Sequence, residues 1–589
     1  MLSLQLFLSF TASLVCSLAL TPVILRIADA LKLYDVPDAV GVGGQGEARR
    51  VHTRPTPRLG GVAIVGGFFM ALLFSSVPQN LGGVYLASLV MFLTGLTDDL
   101  RPLSAKVRLL IQAGTAAVAV AVAGLGLPSL SLTTQVSLAL PPVLGWLFGV
   151  FVIVGSINAV NMIDGLDGLA GGVVLIGVLF LSYLHFLNTG DLHLLLVLSL
   201  PIIGGILGFL KYNTHPASVF MGDGGSNWLG FMTGVLFLVV ARGKAIHAGD
   251  QGLMLVDSAS RLQVGAVPLV TVVLCLSVPI FDTAWVILSR LRAGVSPMTA
   301  DKRHFHHGLM KLGLSHSQSV MAVYFVTVVF AVMGVLPVAF PAYRLGWAPY
   351  VSAALLFLGM PLLLRLDEGL LLRLRTQRAL FSSNPDVGPR LTWMLRIWET
   401  SNRYIIYGIL MVTPVFAGVP PRAVGLVAAF VLPLLLLSVV FSRRKADFLD
   451  SVAIAFAATV VLIANNANTI WILWNGQRTN IQFLYNYVFL WLAVSTLLLV
   501  VATFQQQYFL VTPSDFLMIL LPLVLLLVPE PYRSEHRLNI IGLRSLVLFA
   551  AIRTMQKRHR ANVYRMKMLS SGALLYVILV SLFGLRVVY

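Results

Sequence analysis

The strongest constraint on this sequence is the length of its apolar segments. Apolar runs recur at about the 17–25 residues that an α-helix needs to cross a bilayer, for example at 4–27, 143–159, 192–210 and 267–288. Only 11% of the 589 residues are charged, against roughly 25% in soluble proteins. We therefore expect an all-α, polytopic transmembrane protein.

The apolar runs also predict how the chain is divided. About eleven spans are expected in the first part, at 4–27, 60–77, 82–97, 107–126, 142–160, 169–187, 192–210, 227–241, 266–289, 320–340 and 347–365. Residues 366–403 combine arginines with leucines and tryptophans, which is typical of a helix at the membrane interface. About five to seven further helices are expected in 404–589. The sequence thus predicts a core at 1–365, a basic interfacial linker at 366–403 and an additional membrane region of unknown role at 404–589.

The net charge of +18 is explained by topology. With the N-terminus placed outside, the connections expected inside the cell carry most of the basic residues of the core, including Arg49, Arg50, Arg54, Arg58, Arg101, Lys106, Arg108, Arg290, Arg292, Lys302, Arg303 and Lys311. The opposite connections carry Arg242, Lys244, Arg261 and Arg344. Cytoplasmic loops are enriched in Lys and Arg. The basic excess therefore indicates orientation in a membrane, and no nucleic-acid partner is expected.

The acidic residues collect on the same, cytoplasmic side. The relevant side chains follow four different spans and are Asp98, Asp99, Asp164, Asp167, Asp223 and Asp301, the last with His304, His306 and His307 close behind it. Ionisable groups in a membrane protein are costly and mark functional sites. Their shared side predicts one site, although each group taken alone also fits a solvated helix end, a cap or an ordinary loop.

The residue types favour phosphate chemistry with a hard metal ion. Mg²⁺ takes one or two carboxylates together with substrate phosphates and water, which suits Asp98, Asp99 and Asp223. The three histidines have no Cys or Glu nearby and fit phosphate donors better than a zinc site. Asp282, within the predicted ninth span, stands out because intramembrane acids are rarely structural. A transporter with an acidic ion or proton relay is the alternative. It predicts mid-membrane acids and inverted repeats, whereas nearly all the acids here lie at one interface and no internal symmetry is evident.

Five ordered motifs carry a family resemblance. They are HTRPTPRLGG at 52–61, GLTDD at 95–99 with Lys106, NAVNMIDGLDGLA at 158–170, Asn213 with PASVFMGDGGS at 216–226, and Gly294-Val-Ser-Pro297 followed by DKRHFHH at 301–307. The chain resembles, from about residue 4 to 365, the polyprenyl-phosphate N-acetylhexosamine-1-phosphate transferases of glycosyltransferase family 4. The proline-rich first motif and the histidine loop are more similar to the undecaprenyl-phosphate GlcNAc-1-phosphate transferase branch than to the phospho-MurNAc-pentapeptide translocases.

The resemblance implies an activity. It implies transfer of a HexNAc-1-phosphate, GlcNAc-1-phosphate first of all, from a UDP-sugar to undecaprenyl phosphate, with release of UMP, at the start of lipid-linked cell-envelope glycan synthesis. The cofactor would be Mg²⁺, with Mn²⁺ as a substitute. The enzyme would lie in the bacterial inner membrane with a cytoplasmic active site, and a homodimer is the candidate assembly.

The resemblance also implies roles for individual residues. Asp98, Asp99, Asp164 and Asp167 match catalytic positions, and Asp98, Asp99, Asp164 and Asp223 match positions expected to bind the metal. The substrate positions are Arg58, Lys106, Asn158, Asn161, Asn213, Arg303, His304, His306 and His307. Direct attack by an acceptor that Asp98 deprotonates and a two-step route through a phospho-aspartate both stay open. The chain departs from the family pattern in the Gly/Val-rich stretch 39–48 and in the region beyond 365.

Overall fold

The chain forms two compact units, residues 4–368 and 369–589. The computed structural model describes residues 2–34, 55–74, 81–131, 137–190, 195–242, 267–294, 304–311, 314–339, 347–363, 389–416, 471–474, 477–480, 487–496, 538–558 and 561–583, together with isolated residues between 424 and 520. Arg303, Asp301, Asp35, Asp38, the stretch 39–48 and most of the predicted linker lie outside these described residues.

Helices make up the first unit. They are α1 (Leu2–Leu31), α2 (Gly60–Leu72), α3 (Gly82–Leu100), α4 (Ala105–Val122), α5 (Pro142–Ile163), α6 (Leu169–Thr189), α7 (Leu200–Asn213), α8 (Gly222–Arg242), α9 (Leu269–Cys275), α10 (Ser277–Arg292), α11 (Phe305–Lys311), α12 (His316–Ala339) and α13 (Ala348–Leu363). A short hairpin of β1 (Ser129–Ser131) and β2 (Ser137–Ala139) joins α4 to α5. The predicted all-α fold class is confirmed.

Many of these helices are long and apolar enough to cross a bilayer. Eight helices in the described part of the chain meet that requirement, and nine do so if one bent pair is counted as a single span. Shorter apolar helices lie at Gly60–Leu72, Val197–Asn213, Ala348–Gly359 and Tyr487–Thr496. The protein is therefore a polytopic helical membrane protein, as the sequence predicted.

The span predicted at 266–289 is built from two helices. This segment consists of α9 and α10, which meet at Leu276 and are bent by 89°. Because of this bend, α10 does not continue in the direction of α9. Asp282 lies on α10, and its side chain is buried. Periodicity does not register such a bend because both halves are apolar.

Close backbone contacts hold α8 in the middle of the first unit. Nearly all of α8 and α6 is buried, whereas α4 and α5 expose large apolar side chains such as Leu110 and Phe151 on their outer faces. Lipid tails are as apolar as leucine, so helices in a membrane associate through close contact of small residues. A Cβ on Gly95 of α3 would lie 2.2 Å from the carbonyl oxygen of Asp223. Glycine at 95 therefore lets the end of α3 reach the start of α8.

The contact between α1 and α7 uses the same principle with hydroxyl groups added. Ser13 Oγ donates to the carbonyl oxygen of Pro201 at 2.6 Å, and Ser17 Oγ donates to that of Gly205 at 2.8 Å. Serine side chains can bond across a helix interface in this way because the backbones lie close together.

The second unit contains α14 (Pro389–Phe416), α15 (Tyr487–Thr496), α16 (Leu538–Arg558) and α17 (Ala561–Phe583), with a hairpin of β3 (Trp471–Trp474) and β4 (Gln477–Asn480). Helix α14 passes through residue 403, where the sequence suggested that a linker ends and a span begins. Arg553 lies on α16 and Lys567 lies on α17. Arg553 forms an ion pair with Asp515.

Candidate active site

Four carboxylates converge at the ends of three helices. Asp98 and Asp99 end α3, Asp164 follows α5, and Asp223 lies in the first turn of α8. One oxygen of Asp99 accepts the backbone N–H of Asp223 and the other accepts that of Gly224, both at 2.9 Å. A carboxylate in this position caps the helix and complements the positive end of its dipole. Asp99 therefore fixes the position of Asp223.

A glycine makes this cap feasible. Gly222, which begins α8, has φ +73°, and a Cβ there would lie 2.2 Å from the carbonyl oxygen of Arg58 and 2.6 Å from Oδ2 of Asp99. Only glycine adopts such a backbone without strain and leaves room for both neighbours. The backbone N–H groups of Gly60 and Gly61 donate to the carbonyl oxygens of Phe220 and Met221 at 2.8 Å. This pairing places the exposed Arg58 at the same end of α8 as the acids.

Arg108 holds Asp98 in place. One oxygen of Asp98 accepts the backbone N–H of Leu103 at 2.6 Å, and the other lies 2.7 Å from Nη1 of Arg108. The same Nη1 lies 3.9 Å from Oδ2 of Asp223. Arg108 therefore contacts two members of the acid cluster, and sequence reasoning assigned it to topology only. Its place two residues after Lys106, which is exposed in the first turn of α4, was the available signal.

Two of the three asparagines predicted to bind substrate, Asn161 and Asn158, have different neighbours. Asn161 Nδ2 donates to Oδ1 of Asp223 at 2.7 Å and to Oγ of Ser226 at 3.0 Å, so Asn161 belongs to the acid cluster. Asn158, one turn earlier on α5, donates to Oε1 of Gln112 at 2.9 Å. Asn158 is thus tied to α4 and not to the acids.

The Asp164 carboxyl lies close to other acidic side chains. Burial, together with the negative charges of Asp223 and Asp99, raises the pKa of the Asp164 carboxyl to about 7, although Arg58 opposes the shift. Asp164, Asp98 and Asp223 offer hard oxygen ligands without closing tightly around one point. That sparse set fits Mg²⁺, which keeps waters and substrate phosphates among its ligands.

Asp167 belongs to a second group on the same turn. Its Oδ2 accepts the backbone N–H of Ala217 at 3.1 Å and lies 2.7 Å from Nδ1 of His215. Asn213 is buried nearby, accepting the backbone N–H of Gly168 and donating to the carbonyl oxygen of Val219, both at 2.9 Å. The substrate role predicted for Asn213 stays a prediction, since both ends of its amide contact backbone.

One buried acid anchors the histidine loop. Oδ2 of Asp282 lies 2.8 Å from Nδ1 of His304, and Oδ1 accepts the backbone N–H of Phe305 at 2.7 Å. Asp282 thereby fixes the start of α11 and leaves Nε2 of His304 facing away from this hydrogen bond. The sequence marked Asp282 as functional but did not connect it to the histidines, because 22 residues separate Asp282 from His304.

The histidine loop packs on the turn that carries Asp164. A Cβ on Gly165 would lie 2.7 Å from Nε2 of His306, which is buried. Burial, together with the neighbouring His307 ring, lowers the pKa of His306 to about 3, so the ring is neutral at pH 7. The rings of His306 and His307 lie 4.4 Å apart and those of His304 and His306 lie 5.5 Å apart. The turn after α5 therefore has the acids on one side and the imidazoles on the other.

This arrangement is that of a polytopic membrane protein with a polar site at the ends of its helices. The sequence matches the family model described as glycosyl transferase family 4 over residues 81–241. The chain belongs to glycosyl transferase family 4.

Curated relatives agree with this assignment. The chain is 35% identical over 341 residues to a probable undecaprenyl-phosphate N-acetylglucosaminyl 1-phosphate transferase of Bacillus subtilis, covering 56% of this chain and 85% of the relative. It is 32% identical over 297 residues to a decaprenyl-phosphate N-acetylglucosaminephosphotransferase of Mycolicibacterium smegmatis, covering 47% of this chain and 70% of the relative. It is 29% identical over 303 residues to an undecaprenyl-phosphate alpha-N-acetylglucosaminyl 1-phosphate transferase of Yersinia pestis, covering 50% and 77%. These names favour group transfer over the transporter alternative.

Proposed function

We propose that the protein transfers N-acetylglucosamine 1-phosphate from UDP-GlcNAc to a polyprenyl phosphate. An oxygen of the acceptor phosphate would attack the β-phosphorus of the donor. The bond from that phosphorus to the bridging oxygen would break, and UMP would leave. The product, a polyprenyl-diphospho-sugar, starts a lipid-linked glycan of the cell envelope.

One observation carries this proposal. Carboxylates from the ends of α3, α5 and α8 meet next to an imidazole loop on a single turn, Asp164–Gly168. Phosphoryl transfer needs little covalent chemistry from a protein and depends on positioning and charge neutralisation. A divalent cation beside the acids and basic groups around the diphosphate would supply both. The 35% identity to a relative named for this reaction supports the same assignment.

The proposed metal ligands are Asp164 and Asp223, with Asp98 beside them and Asp99 holding the backbone of Asp223 in place. Mg²⁺ is the ion that fits this oxygen set, and Mn²⁺ is the expected substitute. A bound divalent ion would neutralise developing charge on the phosphates. Arg108 would keep Asp98 and Asp223 together while the ion exchanges, because its guanidinium approaches both.

A role for Asp98 as a general base would matter mainly at acidic pH. A phosphate monoester loses its second proton with a pKa near 6, so most of the acceptor is already fully ionised at pH 7. Asp98 accepts hydrogen bonds from the backbone N–H of Leu103 and from Arg108, so both of its oxygens are already engaged. We therefore propose that Asp98 mainly orients its neighbours near neutral pH.

The basic groups would bind the donor diphosphate. Arg58 lies exposed beside the start of α8, and Lys106 lies exposed at the start of α4. His304, with Nδ1 directed to Asp282, would contact the sugar-diphosphate through Nε2, and Arg303 and His307 would contribute from the same loop. The site would face the cytoplasm, the protein would lie in the bacterial inner membrane, and a homodimer is the proposed assembly.

The decisive assay uses the purified full-length protein with Mg²⁺, UDP-GlcNAc and undecaprenyl phosphate, and it measures UMP. Release of UMP that depends on the lipid is expected, and EDTA should abolish it. Asp29→Asn, an exposed carboxylate of α1, serves as the matched control for variants of the acid cluster. Absence of lipid-dependent UMP with every UDP-N-acetylhexosamine tested would refute the assignment.

A further inference from the structure

Three side chains from three separate segments meet beside the acid cluster. Asp167 comes from the turn between α5 and α6, His215 follows α7, and His316 is the first residue of α12. Nδ1 of His215 lies 2.7 Å and Nε2 of His316 lies 3.9 Å from the same atom, Oδ2 of Asp167. One ligand-type atom from each residue lies within 4.8 Å of the other two, and in the described part of the chain no other trio does so.

The buried nitrogen of His316 needs a partner. Its Nε2 is shielded from solvent and makes no hydrogen bond among the described residues. A buried polar atom left in that state costs about 1–3 kcal/mol. The 3.9 Å gap to Asp167 is too long for a hydrogen bond. It is close to the separation of about 3.4 Å expected for two ligands that share one ion at zinc distances.

We propose that Asp167, His215 and His316 bind a divalent transition-metal ion of the zinc class, at a site distinct from the carboxylate cluster. Two imidazoles with one carboxylate suit zinc and its neighbours, whereas Mg²⁺ prefers oxygen ligands and near-octahedral geometry. The two sites therefore differ in the metals that they select. This inference does not depend on which sugar or lipid the protein uses.

Binding requires one local movement. The two imidazole rings stack with centroids 4.2 Å apart and 17° between their planes, so their nitrogens do not yet point at a single position. The side chain of His215 is 43% exposed, whereas those of His316 and Asp167 are 12% and 11% exposed. The exposed ring can rotate towards an incoming ion while the two buried ligands stay in place. The fourth coordination position would be open to solvent on the His215 side.

An ion at this position would connect three segments. Asp167 is three residues from Asp164, and the backbone of Ala217 is already bonded to the Asp167 carboxylate. Fixing this turn would restrict Asp164 without contact between the ion and the acid cluster. The site would therefore stabilise the fold and bias the position of a residue in the proposed active site.

The test is Co²⁺ binding to the full-length protein in detergent, with Mg²⁺ in large excess to occupy oxygen sites. The visible absorption of Co²⁺, which intensifies in a four-coordinate protein site, should titrate to one ion per chain, and Zn²⁺ should displace it. His215→Asn and His316→Gln should each weaken binding by at least about tenfold, because loss of a mere outer partner of a metal ligand already costs about 10–100-fold. His307→Asn, which removes an imidazole outside the trio, should leave the titration unchanged.

Two results would overturn the proposal. One is a Co²⁺ signal that Mg²⁺ abolishes. The other is a signal that His215→Asn leaves unchanged, in which case a water molecule would be the bridging partner of His316. His215 is exposed, so His215→Asn should fold even if His316→Gln does not. The Co²⁺ titration of His215→Asn is therefore sufficient to test the proposed site. Raised thermal stability with Zn²⁺ in wild type but not in His215→Asn is the second readout.

Discussion

The acid cluster and the histidine loop lie on two sides of one turn, and they are held in different ways. Asp99 accepts two backbone N–H groups at the start of α8, through the packing of α3 against α8, whereas Asp98 is held by the backbone of Leu103 and by Arg108 of α4. The histidine loop is held, among the described residues, by Asp282, which bonds both an imidazole and the backbone at the start of α11.

This difference indicates which substitutions should disturb each region. The start of α8 is placed by helix packing, so changing Asp223, one oxygen of which accepts a hydrogen bond from Asn161, to an amide should leave the geometry intact and remove charge. Asp282 bonds both His304 and the backbone of Phe305, so a change at Asp282 should displace the start of α11 and re-orient its imidazoles. Four predictions test this contrast.

The largest effect is expected for Asp223→Asn. The amide can still accept the hydrogen bond from Asn161, so the fold should persist while a negative charge at the proposed metal site is lost. Removal of one charge-stabilising group typically costs about 10²–10³-fold in kcat, and we expect a loss of that size in UMP release. Asp29→Asn should retain full activity. Activity of Asp223→Asn near that of wild type would remove the acid cluster from the mechanism.

Asp282→Asn should have the next largest effect. Asparagine offers an N–H group where the carboxylate accepts, so His304 would lose its fixed tautomer, as in other acid–histidine pairs. Loss of a side chain that orients a functional imidazole in this way should lower activity by about 10–100-fold. We expect kcat to fall more than KM rises.

A double-variant cycle distinguishes this role from simple destabilisation. If Asp282 acts through His304, adding His304→Gln to Asp282→Asn should cause little further loss, because the two residues work as a unit. Independent, multiplying losses would show that Asp282 acts on the fold alone.

Gly95→Ala tests the packing that builds the acid cluster. The new methyl would lie 2.2 Å from the carbonyl oxygen of Asp223 and would force α3 from α8, at a cost of about 1–3 kcal/mol in the free energy of unfolding. Gly114→Ala on α4 is the matched control, since a Cβ there meets nothing within 4 Å. The control should be neutral or stabilising by up to about 1 kcal/mol. Equal stability of the two variants in detergent would contradict the close contact.

The smallest effect is a pH dependence of stability. The pKa of Asp164 is about 7 in the folded protein, above its ordinary value of 3.8. The folded state therefore holds the proton more tightly, and this contribution to stability is present at low pH and is lost as pH rises through about 7. Without metal, thermal stability should fall from about pH 5 to about pH 8 more than in Asp164→Asn.

Added Mg²⁺ should reverse that trend in wild type. The ionised carboxyl binds the cation and the protonated one does not, so stabilisation by Mg²⁺ should grow as pH rises. The Asp164→Asn variant should show a weaker response to Mg²⁺ at every pH. An identical response in both proteins would exclude Asp164 as a metal ligand.

Much of this architecture could be predicted from the sequence. The apolar runs predicted the helices of the first unit to within a few residues, because membrane thickness and hydropathy are local constraints. The basic residues predicted a common side for the acids, and the structure brings Asp98, Asp99, Asp164 and Asp223 together at helix ends. The ordered motifs predicted the family. Each of these inferences uses neighbours along the chain.

Three-dimensional packing decided the rest. The 89° bend between α9 and α10, the link from Asp282 to His304, the role of Arg108 and the meeting of Asp167 with His215 and His316 join residues that no periodicity relates. Even the adjacent pair Asp98 and Asp99 received different partners, an arginine for one and the start of α8 for the other. The sequence by itself determined which residues lie in the membrane and which polar groups share a side. Only the tertiary structure decided their partners, because side-chain contacts depend on how glycine-lined helices pack and on where a helix bends.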